Sequence, residues 1–379
     1  MSDSPLRIRE AQTSDSRVLN SFFTSVAISG SIEIKIAREE HFFSFYQRLN
    51  LPYKTFILED GEEILGTASF LMRDLQFNGK NLKIAQACDL RIAPNRKAIL
   101  SWSKFFLPLI EDIRKKENCD AFITSINHTE TQAMNAFIRP KMRRTEQPTY
   151  SLSRKYSLIS IHGKFPWQSG LNENILVRPF NASDKDELIQ FISERLKNYC
   201  FVPTLLAENL TDYIHRSFLY SWSQFLIAFS KDKKIIGCVQ PISSSLLQDY
   251  LPQEYNQQAH NFRQFLKVAH WLRLGRKLTK PYSRSKKQEA LNFRMLHFFL
   301  YDHPEVQKAL LSAAFNSSKE NEFLAYATEK DDYTKLPPKG SIYAEVPYGL
   351  YNIETPDRDN LFELGLNNDQ PAWLDMIWF

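Results

Sequence analysis

The stretch Ile8-Arg9-Glu10-Ala11-Gln12-Thr13-Ser14-Asp15 decides the fold, because a second stretch repeats its pattern. The later stretch reads Val177-Arg178-Pro179-Phe180-Asn181-Ala182-Ser183-Asp184 and keeps Arg, Ser and Asp at the same internal spacing. In each stretch a short strand-like run leads into Ser and Asp, which commonly cap the start of a helix. The sequence therefore predicts one strand-to-helix connection at two places in the chain.

Two further pairs of segments indicate a duplicated chain. Residues 56–66 and 226–237 each consist of an apolar run, a polar turn and a second apolar run that ends in Gly, which is typical of a β-hairpin. Residues 120–125 and 322–327 keep the same order with a larger offset, so the second half carries extra residues. Two copies of one fold are therefore the first prediction.

The composition is that of folded, water-soluble domains. The chain has 379 residues, which agrees with two domains, and its 43% hydrophobic residues and net charge of +5 argue against disorder. No apolar run approaches the roughly 20 residues that cross a bilayer, and the first residues contain no apolar signal region. The cysteines lack the paired spacing of disulfides or zinc sites. We therefore expect a cytoplasmic protein without a metal ion.

The apolar periodicity of the first half predicts an ordered series of elements. A strand, two helices, three antiparallel strands, a long helix, a strand, a helix and a final strand follow one another. The second of these helices is predicted over residues 36–49 and the long one over residues 99–116. The fold class that we expect is α+β, with two copies that each contain a mostly antiparallel sheet flanked by helices.

The predicted domains are residues 1–160 and 175–379, joined by a linker over residues 161–174 that is rich in Gly, Pro and Ser. The second domain carries an insertion at about 245–290, and its stretch Asn261–Gln288 holds nine Lys and Arg residues but no Asp or Glu. A basic amphipathic helix is predicted at its start. Either its cationic face is simply solvated, or it contacts phosphate groups of a cofactor, RNA or a membrane surface.

This order of elements resembles the GNAT fold of acyl-CoA N-acyltransferases, and the segment Asp89–Ser101 carries the resemblance best. The segment is similar to the family's fourth strand, which runs into an Arg/Gln-x-x-Gly-x-Gly/Ala turn at a helix start. Backbone N–H groups at such a helix N-terminus bind the pyrophosphate of coenzyme A. Arg96 matches the motif's Arg, whereas Ile99 and Ser101 occupy its small positions. The coenzyme A site that the resemblance implies comprises Ile92, Arg96, Lys97, Ala98, Ile99, Leu100 and Ser101.

The resemblance extends to the strand that follows the long helix. Asn127 and Ala133 are similar to an Asn-and-Ala pattern in which the Asn bonds the pantetheine arm of coenzyme A. In the family a Tyr four residues past the Ala often serves as general acid, but this chain has Phe137 there, which has no proton to donate. The resemblance therefore implies a cofactor contact at Asn127 and leaves the acid unassigned.

Asp89 is the first candidate for the general base, because the family often carries a carboxylate at the matching place on its fourth strand. Its alternative role is structural, as the ion-pair partner of Arg91 or Arg96. His128, which follows Asn127, is the second candidate base.

The function that the resemblance implies is transfer of an acyl group, most simply acetyl, from acyl-CoA to an amine that the residues do not specify. In the second half, Asp302, Pro304 and Glu305 stand at the equivalent turn, and the two carboxylates would repel a pyrophosphate. That copy is predicted to be structural or substrate-binding. Two alternatives stay open, namely a catalytically inactive binding module and a tRNA-dependent aminoacyl transferase-like protein that holds RNA at Arg263–Lys287.

Overall fold

The computed structural model of the chain describes residues 6–39, 41–77, 79–140, 147–167, 170–329, 335–355 and 370–375. The strands are β1 (Arg7–Glu10), β2 (Ile32–Ala37), β3 (Tyr53–Asp60), β4 (Glu63–Phe77), β5 (Lys80–Ile92), β6 (Ala121–Asn127), β7 (Thr149–Lys164), β8 (Leu176–Pro179), β9 (Val202–Pro203), β10 (Leu226–Phe229), β11 (Ile235–Ser243), β12 (Asp249–Tyr255), β13 (Phe293–Tyr301), β14 (Phe323–Glu329) and β15 (Ser341–Glu354).

The helices are α1 (Ser16–Ser25), α2 (Ser44–Leu49), α3 (Arg96–Glu117), α4 (Thr131–Ala133), α5 (Lys185–Leu196), α6 (Thr204–Glu208), α7 (Leu210–Arg216), α8 (Gln257–Trp271), α9 (Tyr282–Ser285) and α10 (Pro304–Ser317). A π-helical turn over Met134–Ile138 continues α4.

One sheet runs through both halves of the chain. Its strand order is β1-β3-β4-β5-β6-β15-β7-β14-β13-β11-β10-β8, with β9 beside β4, while β2 and β12 form a separate pair. In this order β15, the last strand of the second half, lies next to β6 of the first half, and β7, the last strand of the first half, lies next to β14 of the second half. If β7 and β15 changed places, the second half of the order would mirror the first. Among the described strands of this sheet, the pairs that run parallel are β5 with β6 and β13 with β14. The predicted α+β class is confirmed.

The recurring Arg and Asp of the opening motif have the same structural task in both halves. The two guanidinium N–H groups of Arg9 donate to Asp15 at 2.7 and 2.9 Å, and those of Arg178 donate to Asp184 at 2.7 Å each. Each Asp also accepts a backbone N–H of the helix cap. Hydrogen bonds from the arginines hold the pKa of both carboxyls below its usual value. The spacing is therefore needed to fasten a strand to the helix that follows it.

The helices α1 and α2 pack on one face of the first half of the sheet, and α3 packs on the other. Ile57 of β3 belongs to the core cluster that contains residues of α1 and α2, whereas its neighbours Phe56 and Leu58 belong to the cluster that contains Trp102 and Phe106 of α3. Alternate residues of a strand point to opposite faces of a sheet. The first cluster also includes residues of the second half, such as Phe225, so the two halves share a core.

Both halves have a β-bulge at the same place. Asp89 and Leu90 of β5 oppose Ala68, and Phe298 and Phe299 of β13 occupy the same position in the second half. Asp89 and Phe298 both have left-handed backbone, with φ of 55° and 47°. The neighbouring parallel strands pair only before the bulge, over three or four residues, and then diverge. Each half therefore has a gap in its sheet.

The bounds of two elements differ from those predicted from the sequence. The helix predicted over residues 36–49 is wrong, because β2 extends to Ala37 and pairs with β12, and α2 begins only at Ser44. Strand β7 extends to Lys164, into the predicted linker, while the domain boundaries stay a prediction. Helix α8, which begins at Gln257, lies where the basic amphipathic helix of the insertion was predicted.

Candidate functional site

The gap between β5 and β6 opens into a cavity of about 250 Å³ that passes through the sheet. Ile36 and Phe45 line it on the face of α1 and α2. Phe106 of α3 and Phe137 of the π-helical turn line it on the opposite face. The walls of this cavity therefore come from both faces of the sheet.

A second cavity, of about 150 Å³, lies against the first turns of α3 and shares walls with the larger one. Phe106, Phe137 and Tyr150 line both cavities, and Ile92 and Ile99 line the smaller one. Its walls are mainly apolar. The two cavities therefore lie side by side between the start of α3 and the gap in the sheet.

The start of α3 is a capped helix N-terminus that carries exposed cations. The Asn95 side chain accepts the backbone N–H of Ala98 at 2.8 Å, which satisfies one first-turn donor. Arg96 is exposed, and Lys97 forms an ion pair with Asp60 of the β3–β4 turn. The other residues predicted to bind the cofactor at this turn differ in their exposure. Ile99 is exposed, Leu100 is half-buried, and Ala98 and Ser101 are buried. Coenzyme A binding at this turn stays a prediction.

Asp89 lines the larger cavity as an ion-paired carboxylate. Arg38 Nη2 donates to Asp89 Oδ2 at 2.5 Å, and the hydroxyl of Tyr46 donates to the same oxygen. Burial alone would raise the pKa of Asp89, but the charges of Arg38 and Arg91 outweigh burial and hold that pKa below its usual value. The direct partner is thus Arg38, rather than Arg91 or Arg96, and the role of Asp89 as base stays a prediction.

Arg38 is enclosed by aromatic rings. Its side chain is fully buried, and its guanidinium carbon lies 4.4 to 4.9 Å from four ring centroids. Its Nε donates to Gln248 of the second half at 3.1 Å. Cation–π contacts and charge pairing together fix this arginine in place. The rings belong to Phe23, Phe42, Phe45 and Tyr46.

Arg91 and Glu130 are two further charged residues of this cavity. Arg91 is 8% exposed, and its Nε has no hydrogen-bond partner among the described residues. Burial raises the pKa of the Glu130 carboxyl, and the positive charge of Arg91 only partly opposes this rise. Glu130 was not among the predicted site residues. The only sequence feature that points to it is its position directly before α4, where capping residues are common. The cavity therefore holds one tightly paired carboxylate and one whose pKa is shifted upward.

The other two predicted residues follow β6. Asn127 lines the larger cavity, and its side-chain oxygen accepts the backbone N–H of Thr129 at 2.9 Å. His128 is not among the described residues that line the cavity. Its Nε2 lies 3.0 Å from the hydroxyl of Tyr351 on β15. The structure thus brings Asp89 and Asn127 to the cavity, while His128 contacts strand β15.

The gap in the second half is filled. Its cavity measures only about 50 Å³, and residues 372–375 line it together with strands β13 and β14. The ring of Trp373 lies 5.8 Å from that of Phe298, the apolar counterpart of Asp89. Asp375 forms a buried ion pair of 2.7 Å with Arg73 of the first half. At the start of α10, Asp302 is paired with Arg195.

Among the residues that the structure describes, no group of three or more His, Cys, Asp or Glu side chains is arranged to hold a metal ion. None of the described helices has the length and apolar character needed to cross a membrane.

No protein-family model and no curated protein sequence matches this chain. Solved structures do resemble it. The glucosamine N-acetyltransferase region of a fungal multi-domain GH3 β-N-acetylglucosaminidase aligns with 93% of this chain and 38% of its own, at 10% identity and a TM-score of 0.51. Saccharomyces cerevisiae N-myristoyltransferase with bound myristoyl-CoA aligns over 96% and 88% of the two chains, at 11% identity and a TM-score of 0.49.

A probable N-acyltransferase from Enterococcus faecalis V583 aligns with 93% of this chain and 73% of its own, at 11% identity and a TM-score of 0.48. Identities this low concern the fold alone. The likeness that bears on the fold is the one to the GCN5-related N-acetyltransferase region, at a TM-score of 0.51. The chain therefore has the GNAT fold of the acyl-CoA N-acyltransferases, as the resemblance at Asp89–Ser101 predicted.

Proposed function

We propose that the protein is an acyl-CoA-dependent N-acyltransferase that works at the gap between β5 and β6. The observation that carries this proposal is the cavity through the sheet, which Glu130 lines. A thioester that enters along α3 and an amine that enters beside α1 and α2 would meet in this cavity. Holding the two reactants together would supply much of the rate enhancement.

The proposed acyl-CoA path begins at α3. Arg96 would attract the phosphates, and first-turn N–H groups near the positive end of the helix dipole would bind them. The apolar cavity beside Ile99 would take the pantetheine arm and lead it to Asn127. Acyl-CoA supplies an activated thioester, and acetyl is the simplest acyl group for a cavity of this size.

We assign the general base to Glu130 rather than to Asp89 or His128. A general base must be unprotonated and still basic enough to take a proton. The raised pKa of Glu130 makes its carboxylate a stronger base. Asp89 is a weaker base because its pKa is lowered, and we assign it, with Arg38, to positioning. The second half, whose gap is filled, would contribute structure rather than chemistry.

The proposed reaction has one proton transfer at the start and one at the end. The ammonium group of the acceptor gives a proton to Glu130. The free amine attacks the thioester carbonyl carbon, the carbon–sulfur bond breaks, and the amide nitrogen loses its second proton. The coenzyme A thiolate leaves and takes up a proton.

Release of free coenzyme A from acetyl-CoA, measured against a panel of amines, tests this function. Amine-dependent release that falls at least about a hundredfold in Glu130→Gln would support it, because a general base typically contributes that much. The matched control is Glu63→Gln, an exposed glutamate at the start of β4. Failure of every amine to release coenzyme A from a protein that binds acetyl-CoA would favour the inactive binding module.

A further inference from the structure

The stretch Asn261–Gln288 contains cations of two kinds. Arg263 and Arg276 are buried. The Nε of Arg263 donates to Thr279 O at 3.2 Å, and the guanidinium carbon of Arg276 lies 3.7 Å from the ring centroid of Phe315. Burial and these contacts give both arginines a structural role. The other seven cations are exposed, namely Lys267, Arg273, Lys277, Lys280, Arg284, Lys286 and Lys287.

The exposed cations are not neutralised by neighbouring carboxylates. No ion pair between residues that the structure describes includes any of the seven. A small loss of hydration and the positive charges of Arg263 and of its neighbours lower the pKa of Lys267. The surface therefore has a positive potential that attracts anions.

The helix α8 has apolar side chains on both its inner and its outer face. Leu266 and Ala269 point into the core and are at most 3% exposed. On the outer face Val268 is 56% exposed, Trp271 80% and Leu272 51%. Side chains three and four positions apart lie on the same side of a helix, so Val268, Trp271 and Leu272 form one outward strip. The described chain places nothing over this strip.

The strip continues onto the end of β7. Phe265 of α8 is 41% exposed, and its ring lies 6.3 Å from that of Phe165. Phe165 in turn stacks at 4.3 Å on Trp167, which is 69% exposed. Lys164, also exposed, directly precedes Phe165 in the chain. We name this surface, made of the strip, these rings and the seven cations, the α8 surface.

We propose that the α8 surface docks onto an anionic lipid bilayer. The cations would contact lipid phosphates, while Trp271, Leu272 and Trp167 would enter the interface between headgroups and acyl chains. Several clustered Lys and Arg residues are the usual requirement for binding anionic lipid. RNA explains the same cations, but it offers no partner for Val268 and Leu272, which cannot stack on bases as aromatic rings do. This proposal is independent of the acyl-transfer proposal.

The test is flotation of the full chain with vesicles of phosphatidylcholine alone and with vesicles of equal parts phosphatidylcholine and phosphatidylglycerol. We expect binding to the mixed vesicles to be at least tenfold stronger and to weaken with added salt. The Lys280→Glu/Arg284→Glu variant should lose at least tenfold in binding. Equal binding to both kinds of vesicle, or to neither, would overturn the proposal.

A second pair of variants separates a bilayer from a nucleic acid. Trp271→Ser/Leu272→Ser should lose at least tenfold in binding to the mixed vesicles, whereas Val18→Ser, which removes a similarly exposed valine from α1, should not. Because all three residues are exposed, the melting temperature serves as the check that each variant folds. Unchanged vesicle binding by the double variant, together with tight binding of single-stranded RNA by the wild-type protein, would show that RNA is the ligand.

The fluorescence of Trp271 gives a direct measure of insertion. We expect a blue shift of the emission on addition of mixed vesicles, and the conservative variant Trp271→Phe should keep the binding but show a smaller shift, to which Trp167 still contributes. The same shift in Trp271→Phe as in the wild-type protein would show that this side chain does not enter the bilayer, and would overturn the proposed orientation.

Discussion

Replacing Arg38 by Met should destabilise the protein strongly, because it removes the partner of a buried carboxylate. The side chain of Arg38 is 0% exposed and that of Asp89 is 11% exposed, and the two are 2.5 Å apart. Removing one member of such a pair leaves the other charge uncompensated and costs about 3 to 5 kcal/mol. Loss of the cation–π contacts with the surrounding rings adds to this cost.

The assay is urea denaturation at neutral pH, followed by far-ultraviolet circular dichroism, of the wild type, Arg38→Met, Asp89→Asn and the double variant. The double variant removes both members of the ion pair, so it should cost at least about 1 kcal/mol less than the sum of the single variants. A cost below about 1 kcal/mol for Arg38→Met, or strict additivity, would refute the reasoning.

The pH dependence of this effect has a definite sign. The folded protein depresses the pKa of Asp89, so the pair contributes stability above the unfolded pKa of about 4, and this contribution is lost as pH falls through the folded pKa. Without Arg38, only Arg91 and Tyr46 still oppose the effect of burial, so the folded-state pKa of Asp89 should be higher in Arg38→Met than in the wild type. The stability difference between the wild type and Arg38→Met should therefore shrink as the solution is acidified from pH 7 through these two folded-state pKa values. A difference that is constant over this range would contradict the assignment of the effect to Asp89.

Three further predictions concern the catalytic cavity, the filled gap and the start of α3. Because burial raises the pKa of Glu130, any amine-dependent activity should rise with pH through that pKa, and Glu130→Gln should lose this limb of the pH–rate profile. Asp375→Ala should cost about 3 kcal/mol in urea denaturation, whereas Arg73→Met/Asp375→Leu should cost much less, because it leaves no buried charge. Ile99→Gly should strengthen coenzyme A binding in calorimetry while it lowers helix stability by about 1 kcal/mol, and unchanged affinity would argue against an anion at this turn.

The sequence predicts those features of the fold that depend on neighbouring residues. The Arg-to-Asp spacing, the β3–β4 and β10–β11 hairpins and the helix α3 could be found because caps, turns and apolar periodicity are local. The fold class followed from the order of such elements. The bulge at Asp89 was not predictable, because a left-handed Asp in a strand is imposed by the neighbouring strands.

Features that depend on distant partners could not be predicted. The segment 36–49 was predicted to be a helix because its apolar residues fit that period, but Ile36 pairs with Tyr250 of the insertion. Likewise, no local pattern indicates that Arg38 meets Asp89, or that β15 enters between β6 and β7. These contacts join residues that are far apart in sequence, and only the assembled sheet brings them together.

The difference between the two gaps explains where chemistry is expected. The bulge residue of the first half is Asp89, which lines a cavity with charged walls. Its counterpart Phe298 is packed against Tyr220, Phe225 and Trp373. Both halves thus keep the backbone geometry of the gap, but the cavity of the first half, at about 250 Å³, is much larger than that of the second, at about 50 Å³. We therefore expect a single working site per chain.

Calorimetric titration with acetyl-CoA, using variants that block one gap or the other, tests the central claim most directly. Ala133→Trp fills the first cavity, Ala327→Trp is the matched change in the second, and Arg96→Glu reverses the exposed charge at α3. We predict one binding site per chain, lost in Ala133→Trp, weakened at least tenfold in Arg96→Glu and retained in Ala327→Trp. Binding that survives Ala133→Trp, or that Ala327→Trp abolishes in a folded protein, would contradict the account.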